Sequence, residues 1–87
     1  MNAETALQEL ETLAEKLHVD VSYDQFTGEG NSGGGLCRIK GRWRVIIERR
    51  VSASEKVSML ARCLAQFDMD SHFVSPAVRE LIEQHRS

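Results

Sequence analysis

The chain has 87 residues, 41% of them hydrophobic and 28% charged, and a net charge of −2. That length holds one domain, residues 1–87, and leaves no room for a second core. The composition is that of an ordinary globular protein. No apolar run approaches the ~20 residues a bilayer requires, and the opening residues carry acids rather than the basic start of a secretory leader.

Two cysteines, Cys37 and Cys63, are too few for a disulfide framework and point to a reducing, cytoplasmic setting. The charge is unevenly spread. Residues 1–35 hold seven acids against one base, residues 36–50 six bases against one acid, and residues 51–87 five acids against four bases. A basic island therefore sits in an acidic chain, matched either to an anionic partner or to the acidic first helix.

In chain order, Leu7, Leu10, Leu13, Ala14 and Leu17 recur at three- and four-residue spacing, which predicts an amphipathic helix over Thr5–Leu17. Asn2 or Thr5 serves as its N-cap. Val19, Val21 and Tyr23 alternate with Asp20, Ser22 and Asp24, the two-residue period of a half-buried strand. Five of the six glycines then fall between Gly28 and Gly35 and predict a flexible loop. This loop lacks the Gly-Lys-Ser/Thr ending of a phosphate-cradling motif, and a strand rather than a helix follows it.

Leu36–Glu48 reads as a β-hairpin turning at Lys40-Gly41. Its second strand is the more apolar and is expected at the centre of a three-stranded, mostly antiparallel sheet. Ser52 and Glu55 form a capping box ahead of a helix over Ala53–Phe67, with Val57, Leu60, Ala61 and Leu64 as its buried stripe. Ser75-Pro76 opens a last helix, Pro76–His85. The expected fold is α+β. Its predicted core is Leu10, Leu13, Leu17, Val21, Ile39, Trp43, Val45, Ile47, Val57, Leu60, Ala61, Leu64, Val78, Leu81 and Ile82.

This order of helix, strand, glycine loop, hairpin and capped helix, with Leu60-Ala61-Arg62-Cys63-Leu64-Ala65-Gln66 on the helix, resembles the N-terminal part of the ImmA/IrrE-type zincin-like metallopeptidases over about Ala6–Met69. In that family the helix carries Leu-Ala-His-Glu-Leu-Gly-His, where H-E-x-x-H binds zinc and the glutamate is the general base. Here Leu60, Ala61 and Leu64 match the scaffold, whereas Arg62 and Gln66 stand at the ligand positions and Cys63 at the base. Arginine has no lone pair to give a metal, and an amide oxygen is a poor zinc ligand. The resemblance therefore implies a non-catalytic pseudoenzyme with a minimal, metal-free zincin-like scaffold, needing no cofactor.

A metal site gathered from His18, Cys37, Cys63, Asp68, Asp70 and His72 matches no zinc spacing, and Cys37 is expected on the apolar face of its strand. The leading functional expectation is protein association, with a partner or as a homodimer, through exposed Ile46, Met59, Cys63, Met69 and Phe73. The alternative is weak binding of nucleic acid or another polyanion by the basic hairpin Arg38–Arg50, with Arg38, Lys40, Arg42 and Arg44 lining one face of the ribbon. An overall pI near 5.9 weighs against that alternative. So does the simpler role of these bases in protecting a sheet face or edge and pairing with acids of the first helix. No membrane partner is expected.

Overall fold

The computed structural model describes residues 2–24, 34–69 and 71–85. Among these, three helices and three strands run in the order α1 (Ala3–Lys16), β1 (Val19–Asp24), β2 (Gly34–Ile39), β3 (Arg42–Glu48), α2 (Ala53–Leu64) and α3 (Pro76–His85). The fold is α+β, as expected. Of the Gly28–Gly35 loop, Gly34 and Gly35 open β2, and the remainder lies outside the described residues.

Each helix starts where its capping chemistry dictates. The Asn2 side chain accepts the Thr5 N–H at 2.8 Å, so Asn2 rather than Thr5 is the N-cap and the helix begins earlier than predicted. It ends where His18 adopts φ +60, the left-handed conformation that commonly closes a helix. Ser52 caps α2 by accepting the Glu55 N–H at 3.2 Å. This helix stops at Leu64 rather than Phe67, because Gln66 and Phe67 donate three residues back, to Cys63 and Leu64, and tighten the last turn. Pro76 opens α3, and the Ser75 hydroxyl accepts the Val78 N–H at 3.4 Å.

The sheet order is β1-β3-β2. As its apolar run suggests, β3 is central. It pairs antiparallel with β2 but parallel with β1, so the sheet is mixed rather than mostly antiparallel. The direction of β1 follows from the connections. The tight turn reverses the chain between β2 and β3, and β2 runs opposite to β1.

Helices α1 and α2 pack together against one face of the sheet, and α3 packs on those two helices rather than on the sheet. Leu10, Leu60, Leu64, Val45, Ile47, Val78 and Ile82 form the centre of this core. Burying such side chains contributes ~1.5–3 kcal/mol each, which is the main force holding a chain of this size together.

Two predicted core residues are not in it. Ile39 is 43% exposed and Trp43 is 37% exposed. The reason is the register. A two-residue turn makes Ile39 the partner of Arg42 and Arg38 the partner of Trp43, and paired residues share a face. Ile39 and Cys37 therefore lie on the open face with Arg42 and Arg44, which corrects the placement of Cys37 on an apolar face. Trp43 does point to the helical side, but beyond the end of α2. There Phe67 meets it edge-on at 5.9 Å, and the Arg38 guanidinium lies 5.5 Å from its ring centre. Leu17, Val21 and Leu81 are half-buried against the core.

Candidate functional site

The basic hairpin does not present one basic face. Arg38 lies on the helical side over Trp43, Lys40 occupies the turn with φ +52, and only Arg42 and Arg44 share the open face. Strand pairing, not composition, decides this, and it overturns the expectation of a single row of four cations. Arg42 is also already engaged. Its Nε and Nη2 donate to Asp20 Oδ2 and Oδ1, each at 2.9 Å. That partner belongs to β1 and not to the first helix. The hydrogen bonds from Arg42 hold the Asp20 carboxyl below its usual range. At the far end of β3, Glu48 is buried to 8% exposure and pairs with Arg50.

The expected association residues are likewise dispersed. Ile46 is half-buried on the open sheet face, between Ser22 of β1 and Gly35 of β2. Met59 is half-buried on α2, and Cys63 and Met69 are core residues, 8% and 6% exposed. Phe73 stands out at 79% exposure, well away in sequence from the open sheet face. These five residues do not make one surface. Met69 is withdrawn because the segment after α2 folds back on the core, and Cys63 because it lies on the buried side of α2.

Of the residues at the metallopeptidase-like positions, Arg62 and Gln66 are exposed and Cys63 is buried. Burial pushes the Cys63 thiol up, and the neighbouring Arg62 only partly opposes this. A thiol held protonated in apolar surroundings is an inert packing group. Cys37 and Cys63 are both free. Among the described residues, no group of three or more His, Cys, Asp or Glu side chains is placed to hold a metal ion. Asp70, one of the expected candidates, lies outside the described residues.

A large concavity lies where sequence reasoning did not look, beside β1. It is a groove of about 830 Å³ between α1 and β1, within the range of ligand and peptide clefts. Gln8, Glu11, Thr12 and Glu15, at three- and four-residue spacing, form its helical wall. Val19, Asp20, Val21 and Ser22, four consecutive strand residues, form the other wall, and Arg44 reaches it from β3.

Consecutive lining residues are the mark of a strand edge. Since β1 is terminal in the sheet, nothing among the described residues pairs with its outer side. The Arg49 N–H donates to the Asp24 carbonyl at 2.9 Å, which fixes the peptide groups of Asp24 toward β3. Alternation then turns those of Asp20 and Ser22 the same way, and those of Val19, Val21 and Tyr23 outward, the first two of these residues lining the groove.

Polar side chains in and beside the groove differ in how far they are satisfied. Tyr23 donates its phenol to Glu11 across the α1–β1 gap, and burial together with this bond raises the phenol pKa well above its ordinary value. The Lys56 ammonium lies 5.5 Å from the Tyr23 ring centre and steadies it from α2. By contrast, Ser22 Oγ and Arg44 Nε are buried atoms without a hydrogen-bond partner among the described residues. Leaving such a group unsatisfied costs about 1–3 kcal/mol. A signal for this groove was present in the sequence. Hydrophilic residues flank the Leu10–Leu13–Leu17 stripe on the side that meets a strand rich in Asp and Ser. The central place expected for β3 already makes β1 an edge, and the structure adds the groove beside it.

No helix among the described residues is long and apolar enough to cross a membrane. No family model matches the chain, and neither does any curated protein or solved structure.

Proposed function

We propose that this chain is a small, non-catalytic cytoplasmic domain that acts by docking another protein segment, with β1 as the docking element. The observation that carries the reading is the outer edge of β1, whose peptide groups at Val19 and Val21 face a groove, with no strand among the described residues beside them. Unpaired strand edges are templates for further pairing, and proteins that do not use them usually block them. Here the edge strand is free of proline and lysine.

A metal-free zincin-like scaffold agrees with this role. Arg62 and Gln66 at the ligand positions are exposed, and Cys63 at the base position is a buried thiol whose ionisation is disfavoured. Two free cysteines suit a reducing compartment. Polyanion binding by the hairpin fits less well, since Arg42 is already neutralised by Asp20 and Arg38 lies on the opposite face from Arg44.

Native mass spectrometry tests the non-catalytic part: the protein purified without added metal is expected to be metal-free, and stoichiometric zinc overturns it. Amide exchange followed by NMR tests the docking part. The Val21 amide is expected to exchange much faster than those of Ser22 and Val45, and equal protection overturns an open edge.

A further inference from the structure

Resting on that docking reading, we infer that the β1 groove takes an extended peptide that adds to the sheet as a fourth strand and alternates basic and acidic side chains. The alternation is dictated by the two walls. Residues of an added strand point by turns toward the helical layer and toward the open sheet face. On the helical side they meet Glu11 and Glu15. Glu11 already accepts the Tyr23 phenol, whereas Glu15 is exposed and makes no ion pair among the described residues. This side selects lysine or arginine.

On the sheet side an added residue beside Ser22 lies on the face that carries the two buried, unsatisfied groups, Ser22 Oγ and Arg44 Nε. Asp20, the acid next to them, is committed to Arg42 by two hydrogen bonds. A carboxylate at this place accepts from the Ser22 hydroxyl and the Arg44 guanidinium once these side chains turn outward, and it supplies the partner that neither buried atom finds among the described residues. The occupant is thus a peptide with bases on alternate positions and one acid between them. A purely basic or purely acidic segment meets like charge on one wall.

Fluorescence anisotropy with labelled, end-blocked heptapeptides tests this. In the first, lysine alternates with valine and aspartate takes the central position; in the second, glutamate replaces every lysine and lysine replaces the aspartate. The first is expected to bind and the second to bind at least about tenfold more weakly, with salt weakening the first.

Three variants locate the site. Val21→Pro removes an outward N–H without breaking a bond to β3, Glu15→Lys reverses the exposed wall, and Arg44→Gln removes the acceptor's partner. Each is expected to reduce binding of the first peptide by about tenfold, and a copy of that peptide N-methylated on alternate backbone amides is expected not to bind. Circular dichroism establishes that the variants remain folded, and Glu15→Lys, an exposed helical change, keeps the test valid should Val21→Pro unfold the chain.

Equal binding of both peptides, lost together in Val21→Pro, overturns the charge assignment and leaves strand addition standing. Absence of binding by either overturns the inference. The Val21 exchange rate then separates the two readings: a fast amide leaves the edge open to a different partner, and a protected one removes the docking role as well. A dimer in sedimentation that shields the Val21 amide also overturns the inference, since a second copy then fills the groove.

Discussion

Arg42 and Asp20 join two parallel strands through a bidentate pair, both bonds 2.9 Å long, although they are not register partners; Asp20 faces Arg44 in the ladder. The pair thus runs diagonally across the open face. It ties the start of β1 to the start of β3 on the face away from the helices. Both side chains are substantially exposed, 59% for Arg42 and 36% for Asp20, so solvent screens the attraction.

This pair gives the acid limb of stability a definite sign. The Asp20 pKa in the folded chain lies below the ordinary value of 3.8, so its contribution is complete above that value and is lost as pH falls through the folded pKa. Asp20→Asn is expected to flatten the decline in melting temperature on acidification below about pH 4, measured against the wild type. An unchanged acid limb counts against the pairing.

Tyr23→Phe removes the phenol that bridges β1 to Glu11 of α1. The site is half-buried and the acceptor charged, so urea denaturation is expected to show a loss of about 1 kcal/mol. In the wild type, the raised phenol pKa means that stability is full below the ordinary tyrosine pKa of 10.0 and falls as pH rises through the folded value. Phenolate absorbance is expected to appear only with alkaline unfolding.

Two non-glycine residues hold positive φ, His18 at +60 and Lys40 at +52. Lys40 precedes Gly41, φ +82, in a turn whose twist favours Asn-Gly. Lys40→Asn and His18→Gly are each expected to stabilise the chain by about 0.5–1 kcal/mol. Gly41→Ala is expected to destabilise by about 1 kcal/mol, and the cause is the backbone alone, since an added Cβ there meets nothing within 4 Å.

Cysteine alkylation distinguishes the two thiols. Half-buried Cys37 is expected to react on the order of tenfold or more faster than Cys63, whose burial disfavours its thiolate. Cys63 is expected to become reactive at the rate of unfolding. Rapid modification of Cys63 in the native protein contradicts its place in the core.

Leu60→Ala empties a fully buried position between the helices and the sheet and is expected to cost about 3 kcal/mol. Phe73→Ala, at 79% exposure, is expected to stay within about 0.5 kcal/mol of the wild type. Paired urea titrations check both. A large loss at Phe73 means that this ring is covered in solution.

The local chemistry was legible where each residue acts alone or along one element. Ser52 with Glu55, Pro76, and the stripe Val57–Leu60–Ala61–Leu64 announce their helices, and Val45 and Ile47 announce a central strand. What could not be read there depends on pairing between elements. The face of Ile39 follows from the register set at Lys40-Gly41, and a shift of one residue would have put it inward. The groove follows from the way α1 lies beside the outer edge of β1, to which neither element's own pattern points. A run of cations likewise reads as a patch in one dimension, yet Arg38 and Arg44 fall on opposite sides once the hairpin closes.

The mixed sheet also sets an order of assembly. The β2–β3 hairpin closes across two residues, whereas Val19 must find Trp43, 24 positions along the chain (43 − 19). Loop closure makes the nearer pairing the faster one. The hairpin and α2 therefore form a template on which α1 and β1 arrive as a unit. The strand that carries the open edge is then expected to be the last to be fixed. A segment bound along it would act as a clamp on the folding arm and raise the barrier to unfolding, so occupancy would register as longevity of the native state as well as affinity.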